Sequence, residues 1–569
     1  MKPRLGLILL FLFPLSQGSG LAGVEPDKLT QAFHLVEAYA KQTQDWSGTP
    51  GISIALTSSE KTLYSDTFGF ADRKLGKRLA ETTLLQIGSI TKSFTAVALL
   101  ALAEEGKLDL DAPITEELPW FSIKTEYPEI TPRHLLTNTS GIPANRDDLP
   151  SSPYMAVAIR EQEAAWAPGT RLHYSNVGYQ LLSVLVESVA GKPWADVIDE
   201  RIIGPLGMTN SEPGISYATR SRQAIGYIQA DAERPAHRTR ELAEAPHFPY
   251  AMGDGCISST AEDMAIFVRL LLNRGHVGET RILSENAFKD FIDPGIPNEN
   301  GGGYACGIGV DRREGRFILH HFGGMVGFTA YAMADMETGF GVVVLCNGPG
   351  QPYRIARYAI EVMNALSRDL PLPEIPENRN PSKVDNAADY ADSFTSPDGE
   401  TIQVEARGDE LWIRLEDSLA QLEHVWSDTF YTLHPDLDRY YLKFERDDQG
   451  QVIYVTHGPR WLANQHYTGP TEFTPPKDWQ AYVGTYHSHS PWFPGFSVFI
   501  RRGELWSVTA GGGETSAGQE ARLFQVEKGI FRPEAEPTPE RVAFDEVVSG
   551  KAMRASWSGH TFYRAHLHE

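Results

Sequence analysis

Cysteines are scarce in this chain, as are basic residues and long apolar runs. Its 569 residues include only three cysteines, Cys256, Cys306 and Cys346, which lie far apart in the sequence. This spacing excludes a dense disulfide framework and contains no metal-binding motif. We expect the three cysteines to be small buried side chains. Because their number is odd, at least one must be a free thiol; a bridge between Cys306 and Cys346 is the alternative.

Basic residues are outnumbered by acidic ones. Lysine and arginine total 51 against 74 aspartates and glutamates, which gives a formal net charge of -23. Phosphate backbones and anionic lipid surfaces repel a chain this acidic. We therefore expect neither nucleic acid nor a membrane surface as the main partner. The composition is compatible with a small-molecule or short-peptide substrate and leaves the oligomeric state open.

The longest apolar run stands at the N-terminus. Lys2 and Arg4 precede the apolar stretch 5–15, and the small residues of 16–20 follow it. This order is typical of a secretory signal peptide, so residues 1–20 predict export to the periplasm or the exterior; an uncleaved signal anchor is the alternative. The stretch is too short to cross a bilayer comfortably and no later one approaches that length, which predicts no membrane span after signal removal.

The order of predicted elements divides the chain into domains. A chain of 569 residues is too long for a single core. Within 21–365, strand patterns at both ends enclose helical patterns, which predicts an α/β (α+β) domain whose antiparallel sheet is flanked by helices. Four prolines among polar residues mark 366–385 as a linker.

Beyond the linker, aromatic residues and turns dominate and short motifs recur. The sequence Arg407-Gly-Asp-Glu-Leu-Trp412 is matched by Arg502-Gly-Glu-Leu-Trp506. Two repeats of about ninety residues, each with several short strands, predict two small all-β barrels at 386–472 and 473–569. A single sandwich with coincidental motifs is the alternative.

The motif Ser89-x-x-Lys92 begins an apolar helical pattern that ends at Gly106. A spacing of three residues on a helix places Ser89 and Lys92 on one face, one turn apart. A serine hydroxyl needs a base to become a good nucleophile, and a buried lysine in its neutral form can take its proton. Because the motif also occurs by chance in many helices, the interpretation depends on what else the chain contains.

Two further motifs supply what a serine nucleophile needs. Tyr174-x-Asn176 offers a hydroxyl that can carry the proton to the leaving group and an amide that can hold the lysine or substrate. His321-x-Gly323, followed by Gly324, offers a polar group near the leaving group and a backbone N–H beside glycines for an oxyanion. Taken singly, Tyr174 is also compatible with a packed aromatic residue and His321 with an ordinary strand histidine.

Together the three motifs resemble those of the class C β-lactamase and penicillin-binding-protein family of serine hydrolases, in the same order and at similar spacing. The resemblance covers residues 25–365 and includes flanking phrases such as Pro205-Leu-Gly-Met208. It implies a β-lactamase/transpeptidase-like catalytic fold and an acyl-enzyme mechanism without metal or other cofactor. The implied roles are Ser89 as nucleophile, Lys92 as base or its modulator, Tyr174 as proton shuttle, His321 as third-motif catalytic group, Asn176, Phe322 and Gly323 as substrate-binding residues, and the backbone N–H groups of Ser89 and Gly324 as the oxyanion hole. Whether Lys92 or Tyr174 is the base in acylation stays open.

The third motif departs from that of true β-lactamases. His321 stands in place of the usual lysine and bulky Phe322 in place of a small hydroxyl residue, the groups that normally bind the carboxylate of a β-lactam. This favours the peptidase and esterase relatives, so we expect cleavage of amide or ester bonds in small substrates, including D-amino-acid peptides of the D-aminopeptidase or D-Ala-D-Ala carboxypeptidase type. A class C β-lactamase and a non-catalytic binding or sensor protein are the alternatives. We also expect His321 to titrate in the neutral range. Asn138, where relatives often carry a histidine, is expected to affect packing.

The C-terminal repeats resemble the lipocalin-like barrels that follow the catalytic domain in D-aminopeptidases. This implies either a stabilising or attachment module, or a gate in which a barrel loop reaches over the Ser89 cleft. The turn 491–496, rich in proline and aromatic residues, is a candidate loop. The sequence His487-Ser-His489 is interpreted as a polar loop, so no metal is expected.

Overall fold

The computed structural model describes residues 25–146, 151–313, 315–415, 418–511 and 518–565. The expected signal peptide, residues 1–20, lies outside this part of the chain. Within it, no helix is both long enough and apolar enough to cross a bilayer.

Helices cover both faces of one large antiparallel sheet in the first part of the chain. The α-helices are α1 (Pro26–Ser47), α2 (Thr91–Glu104), α3 (Pro132–Leu136), α4 (Ser152–Ala158), α5 (Asn176–Ala190), α6 (Trp194–Ile198), α7 (Gly204–Leu206), α8 (Ala261–Leu272), α9 (Glu285–Phe291) and α10 (Pro352–Ser367). Strands lie at both ends of this segment, and a strand from one end pairs with a strand from the other in the sheet.

The large sheet has the order β10-β11-β12-β13-β14-β1-β2-β3, and all its pairings are antiparallel. The strands of this region are β1 (Gly51–Ser58), β2 (Thr62–Asp72), β3 (Lys77–Arg78), β4 (Leu85–Gln86), β5 (Tyr227–Gln229), β6 (Leu242–Glu244), β7 (Ser258–Ser259), β8 (His276–Val277), β9 (Thr280–Arg281), β10 (Gly303–Tyr304), β11 (Gly309–Arg313), β12 (Arg316–Met325), β13 (Phe328–Asp335) and β14 (Phe340–Cys346). Strand β1 pairs with β14 from Ile52 opposite Cys346 to Ser58 opposite Phe340, and both strands are buried throughout. Burial on both faces explains their nearly continuous apolar sequences.

Two hydrophobic cores form, one on each face of the sheet. On one face, α2 packs against α8, and the rings of Phe94 and Phe267 stack with centroids 3.9 Å apart. On the other face, α1 packs against α10 through Tyr39 and Tyr358, whose ring centroids lie 4.7 Å apart. The helix-flanked antiparallel sheet expected from the sequence is thereby confirmed.

The structure corrects three local interpretations of the sequence. The apolar run 304–310 has the pattern of a single strand, but its glycine-containing turn separates the paired strands β10 and β11. Ser89 was placed on the helix with Lys92; it lies in the 3₁₀ turn Gly88–Ile90, and α2 starts at Thr91. The apolar run from Leu181 predicts a helix that starts there, but α5 begins at Asn176, because the Ser175 side chain caps it. All three cysteines are buried free thiols, as expected for small apolar side chains.

The remainder of the described chain is all-β, which confirms the predicted fold class of this part. A closed barrel contains β15 (Ser393–Thr395), β16 (Thr401–Arg407), β17 (Glu410–Leu415), β18 (Ser418–Trp426), β19 (Thr429–Tyr431), β20 (Leu442–Arg446), β21 (Val452–His457) and β22 (Arg460–Ala463). A second sheet contains β23 (Gly484–His487), β24 (Gly495–Arg501), β25 (Glu504–Thr509), β26 (Glu520–Arg522), β27 (Phe524–Glu527), β28 (Ile530–Arg532), β29 (Val542–Val548), β30 (Lys551–Trp557) and β31 (His560–Arg564).

The second sheet is a barrel with one gap. Its order is β26-β25-β24-β23-β31-β30-β29-β28-β27, so neighbours in sequence pair everywhere except between β26 and β27, and β31 closes back on β23. The matched sequence motifs occupy equivalent turns, since Arg407 ends β16 before β17 and Arg502 follows β24 before β25. We call the first of these structures the first barrel and the second one the second barrel.

Both barrels contact the large sheet and its helices, residues 25–365, which we call the catalytic region after the role that the sequence resemblance implies. The segment between β5 and β6 contacts the first barrel, where His237 Nε2 lies 3.0 Å from Glu423 Oε2. The same segment contacts the second barrel, where the Gly511 N–H donates to the Ala232 carbonyl at 2.7 Å. Trp492 of the second barrel belongs to the core on one helical face of the large sheet, and its ring lies against those of Phe248 and Tyr250.

Candidate active site

The proposed nucleophile and its lysine are in direct contact. Ser89 lies in the short turn before α2, and Lys92 lies in the first turn of that helix. The Lys92 Nζ atom is 2.9 Å from Ser89 Oγ. Ser89 is 6% exposed and Lys92 is fully buried. The structure therefore brings together the two groups that the first motif predicted.

Two further oxygen atoms fix the Lys92 amine. Its Nζ donates to Asn176 Oδ1 at 2.6 Å and to the Asp254 carbonyl at 2.7 Å. A neutral amine has two N–H donors and one lone pair. When the two donors point at these acceptors, the lone pair is left for the Ser89 hydroxyl. The geometry therefore suits Lys92 as a proton acceptor for Ser89.

The second motif sits at the start of α5. Asn176 is the first residue of the helix, and its Nδ2 donates to Asn145 Oδ1 at 2.7 Å, which turns its oxygen toward Lys92. The half-buried ring of Tyr174 lies beside the lysine, with Lys92 Nζ 4.9 Å from the ring centroid. The structure thus places both predicted residues of this motif at Lys92.

The third motif lies on β12, and His321 is nearly buried. Its Nδ1 donates to the Phe322 carbonyl at 2.6 Å, so Nε2 accepts from the Tyr304 hydroxyl at 3.0 Å. Burial is the main cause that lowers the pKa of His321, to about 3, and a positive charge on Lys92, when that amine is protonated, acts in the same direction. The imidazole is therefore neutral at neutral pH. The expectation that it titrates in the neutral range is wrong, because the sequence did not reveal its burial.

Glycines bring the backbone of β12 against the nucleophile turn. A Cβ on Gly323 would lie 1.9 Å from the Ile87 carbonyl oxygen, and one on Gly88 would lie 2.5 Å from the Gly324 nitrogen. Gly88 also has a φ of 55°, which other residues rarely adopt. This close approach brings the main chain of Gly324 against that of Gly88, the residue before Ser89, which suits an oxyanion hole formed by the Ser89 and Gly324 N–H groups.

A cavity of about 840 Å³ opens above the nucleophile. Ser89, Tyr174, His321 and Gly324 line it together with Phe322, which is 47% exposed. The second barrel completes the wall with Pro491, Pro494 and Gly511. The turn 491–496 singled out in the sequence therefore borders the site.

Sequence reasoning missed the groups that support these motifs. Asp254 holds Lys92 through its carbonyl, while its buried carboxyl accepts from Gln180 Nε2 at 3.1 Å and from the Tyr250 hydroxyl at 3.2 Å. Burial raises the pKa of this carboxyl, and the Lys92 charge opposes the effect. An aspartate between two glycines suggests only a turn, so the sequence offered no signal for this role.

Asn138 has a structural role that the sequence indicated only vaguely. Its φ is 55°, its Oδ1 accepts from the Ser175 N–H at 3.0 Å, and its carbonyl accepts from the His173 N–H at 2.8 Å. Asparagine tolerates this backbone conformation better than most residues. It therefore supports the extended segment on either side of Tyr174.

Within the part of the chain that the structure describes, no cluster of metal-binding side chains accompanies these groups. Across the residues that the structure describes, no three His, Cys, Asp or Glu side chains are grouped as metal binding would need. His487 Nε2 instead lies 2.8 Å from Glu233 Oε1, a contact between the second barrel and the catalytic region.

Comparison with known proteins agrees with this geometry. The family model described as "Beta-lactamase" matches residues 36–363, more than half of the chain. The chain is 27% identical over 309 residues to "Protein flp" of Staphylococcus aureus (strain NCTC 8325 / PS 47), covering 52% of this chain and 59% of that protein. It is 25% identical over 382 residues to "Penicillin-binding protein 4*" of Bacillus subtilis (strain 168), covering 63% of this chain and 82% of that protein.

A solved structure is similar over a longer stretch. The octameric penicillin-binding protein homologue from Pyrococcus abyssi superposes with a TM-score of 0.56 at 26% identity, over 76% of this chain and 99% of that one. The chain spans less than two thirds of the staphylococcal relative, so that protein's full length is not represented here. The family match and the Ser89–Lys92–Asn176 arrangement lead to one conclusion: the chain belongs to the β-lactamase family, a family of serine hydrolases that includes penicillin-binding-protein homologues.

Proposed function

We propose that this protein is an exported serine hydrolase that forms an acyl-enzyme at Ser89 and cleaves amide or ester bonds of small substrates. One observation carries the proposal: Ser89 Oγ lies 2.9 Å from the buried Lys92 amine at the base of a cavity of about 840 Å³. A serine beside a lysine whose other partners are fixed has the geometry of an activated nucleophile. Export is supported by the signal-like N-terminus.

Acylation follows from the contacts of Lys92. Ser89 Oγ attacks the substrate carbonyl carbon, and its proton moves to the lone pair of the Lys92 amine, which Asn176 and Asp254 hold in place. The backbone N–H groups of Ser89 and Gly324 stabilise the oxyanion. As the tetrahedral intermediate collapses, the bond to the leaving nitrogen or oxygen breaks, and that atom takes the proton from Lys92 by way of the Tyr174 hydroxyl.

Deacylation reverses the proton movements with water in place of the leaving group. Water gives its proton to the Lys92–Tyr174 pair, and its oxygen attacks the ester carbonyl on Ser89. The carboxylic acid product leaves as Ser89 Oγ regains a proton. The apolar wall from the second barrel limits how much bulk water reaches this step.

The third motif supports a peptidase or esterase over a β-lactamase. His321 is neutral at neutral pH because its pKa is about 3, and its Nε2 accepts from Tyr304. This motif therefore provides no fixed cation for the carboxylate of a β-lactam, and Phe322 provides no hydroxyl. Short peptides that contain a D-amino acid, of the D-aminopeptidase or D-Ala-D-Ala carboxypeptidase type, and small esters are the proposed substrates.

The bounded cavity supports a preference for small substrates. Pro491 and Pro494 stand in the same wall as Phe322, and proline keeps this wall stiff. The second barrel would thereby act as a gate that excludes long peptides. The role of gate rests on this lining and is part of the proposal.

The experiment is covalent labelling combined with a substrate panel. A fluorophosphonate probe should label purified protein stoichiometrically at Ser89 and should not label Ser89→Ala. D- and L-aminoacyl amides, D-Ala-D-Ala peptides, short esters and a chromogenic cephalosporin then rank the substrate classes. A protein that neither labels nor turns over any of these would be a binding protein, and efficient cephalosporin hydrolysis would restore the β-lactamase alternative.

A further inference from the structure

The catalytic motifs of this chain are connected to a carboxylate of the second barrel. Glu540 lies before β29 and is almost wholly buried. Its Oε1 accepts from the Ala144 N–H at 2.8 Å and lies 3.1 Å from His173 Nε2. Its Oε2 accepts from the Ser558 hydroxyl at the turn between β30 and β31. Two of these three contacts therefore reach into the catalytic region.

The Ala144 contact leads directly to the lysine. The Ala144 carbonyl accepts from the backbone N–H of Asn176 at 2.8 Å. The next residue, Asn145, accepts from Asn176 Nδ2 at 2.7 Å through its Oδ1. Asn176 Oδ1 in turn accepts from Lys92 Nζ at 2.6 Å. One short loop thus sets both the backbone and the amide orientation of Asn176.

The His173 contact leads to the second residue of the same motif. His173 directly precedes Tyr174, and its ring lies between Glu540 and Trp166, with ring centroids of Trp166 and His173 5.7 Å apart. A fixed His173 restricts the rotation of the segment that carries Tyr174. Both halves of the Tyr174-x-Asn176 motif are therefore tied to a single carboxylate.

The surroundings of Glu540 suit an ionised acceptor. Burial raises the pKa of its carboxyl, but hydrogen bonds from His173, Ser558 and the Ala144 N–H lower it, and the net direction is downward. The neighbouring turn also fits closely, since a Cβ on Gly559 would lie 1.9 Å from Arg146 Nη1. The second barrel therefore abuts the loop that contains Asn145 at more than one point.

We propose that Glu540 is a positioning residue of the active site, which holds the loop of Ala144 and Asn145 so that Asn176 orients Lys92 toward Ser89. This inference rests on the proposed acylation of Ser89. It gives the second barrel a role besides lining the cavity, because Glu540 contacts the loop of Ala144 and Asn145 and is not among the residues that line the cavity. Loss of the carboxylate would leave the Ala144 N–H and His173 without their acceptor and free Asn176 to rotate.

The test compares Glu540→Ala, Glu540→Gln and Glu520→Ala in the full chain. A glutamine can accept from Ala144 and His173 through its oxygen and donate to Ser558 through its nitrogen, so it should restore the arrangement. Glu520 is the control: its side chain is also buried in the second barrel, 2% exposed against 12% for Glu540, and it pairs with Lys443 at 3.2 Å and Arg501 at 3.0 Å, away from the catalytic motifs.

The readout is the rate constant of fluorophosphonate labelling per active molecule, measured apart from the final labelled fraction. A merely structural role lowers the labelled fraction and leaves the rate constant unchanged. We expect Glu540→Ala to label at least about tenfold more slowly, since small displacements of reacting groups have effects of this size. Glu540→Gln should stay within about threefold of wild type and Glu520→Ala within about twofold.

Two results would overturn the inference while leaving the proposed function intact: Glu540→Ala labels at the wild-type rate, or Glu520→Ala slows labelling as much as Glu540→Ala. A wild-type protein that does not label Ser89 would instead contradict the proposed function. Hydrogen exchange then still tests whether Glu540 holds the Ala144–Asn145 loop. The backbone N–H of Asn176 should exchange faster in Glu540→Ala than in Glu520→Ala, and equal exchange contradicts the inference. If Glu540→Ala is insoluble, His173→Ala removes a catalytic-side donor and takes its place in both measurements.

Discussion

The two barrels have similar sequence motifs but contact the catalytic region in different ways. The first barrel presents charges, as in the contact of Glu423 with His237 and the ion pair of Asp438 with Arg240 at 3.0 Å. The second barrel presents the apolar turn that walls the cavity and the carboxylate of Glu540. Two barrels of similar fold therefore need not have the same role, because the role of each depends on the loops with which it contacts the catalytic region.

This comparison predicts that changes at the second barrel alter catalysis, whereas changes at the first barrel alter stability. The effect of a change in the Ser89–Lys92 pair itself is the reference for the size of both effects. The following predictions run from the largest expected effect to the smallest.

Lys92→Ala should have the largest effect, since the amine contacts Ser89, Asn176 and Asp254 together. We expect turnover to fall by at least about 10³-fold, as for other members of a nucleophile–base unit. Steady-state kinetics on the best substrate, with circular dichroism to verify folding, measures this loss. Activity within tenfold of wild type would mean that Lys92 is not the base.

Trp492→Ala should affect both stability and selectivity. Trp492 packs against Tyr250 and Phe248, with ring centroids 6.0 and 5.8 Å away, and Tyr250 bonds the Asp254 carboxyl. Removal of a buried aromatic side chain costs about 3 kcal/mol or more of unfolding free energy. Because the cavity wall next to Pro491 loosens, the ratio of kcat/KM for small and large substrates should fall.

Trp426→Ala is the corresponding tryptophan change in the first barrel, at a more exposed position. Trp426 is 45% exposed and packs against Tyr441 of the same barrel. We expect a smaller loss of stability and an unchanged substrate ratio. If Trp426→Ala and Trp492→Ala shift the ratio equally, the distinction between the barrels is wrong.

Glu423→Gln should lower stability without changing catalysis. The carboxylate lies 3.0 Å from His237 Nε2 and 3.4 Å from Arg238 Nη2. Hydrogen bonds from charged donors contribute about 1.5–3 kcal/mol, and partial exposure of this site brings the expectation to about 1 kcal/mol. Urea unfolding measures the loss, while the labelling rate constant of Ser89 should equal that of wild type; slower labelling would link the first barrel to the active site.

The contact of Glu423 with His237 also gives this interface a pH dependence. The hydrogen bond from His237 holds the pKa of the Glu423 carboxyl below its usual range, although burial opposes it. A carboxyl with a lowered folded-state pKa stabilises the protein above its unfolded-state pKa, near 4.3 for glutamate, and loses that contribution as the pH falls further. Glu423→Gln should therefore differ least from wild type in the most acidic conditions that preserve the fold.

His321 should have the smallest effect on the rate profile near neutrality. With its pKa at about 3, it is neutral throughout the range where activity is measured. Labelling of Ser89 should therefore rise with pH without a step near 6.5, the ordinary histidine pKa. A step near pH 6.5 that disappears in His321→Gln would contradict its burial as a neutral group.

The same group gives a stability prediction with a defined sign. The unfolded chain takes up a proton at His321 below about pH 6.5, while the folded protein does so only near pH 3. Unfolding therefore binds a proton between these values, so His321 makes the fold less stable as the pH falls through this range. His321→Gln should show a shallower loss of stability between pH 6.5 and 4 than wild type, and an equal slope would contradict the assignment.

Sequence patterns predicted the local elements and the contact of Ser89 with Lys92 far better than the long-range supports. The Ser89-x-x-Lys92 spacing and the apolar pattern of α2 are local, and the structure brings the two side chains together. The glycines at 323 and 324 predicted an accessible backbone beside Ser89, and Gly323 lies so close to the nucleophile turn that a Cβ would be 1.9 Å from the Ile87 carbonyl oxygen. Such signals can be found because the physical requirement lies within a few residues.

The missing parts depend on tertiary contacts. Glu540 is one acidic residue among 74 aspartates and glutamates, and nothing near it in the sequence marks its contact with Ala144. The low pKa of His321 follows chiefly from its burial next to Lys92, an environment that only the folded chain creates. The gap between β26 and β27 likewise depends on how the sheet closes and not on any strand pattern.

The central claim is that Ser89 becomes acylated during turnover. Acid quenching of the enzyme with its best ester or D-aminoacyl substrate, followed by peptide mapping with mass spectrometry, tests this most directly. We predict the acyl mass on the peptide that contains Ser89, and its absence in Ser89→Ala. Continued turnover with no adduct, or with the adduct on a different residue, would contradict the account.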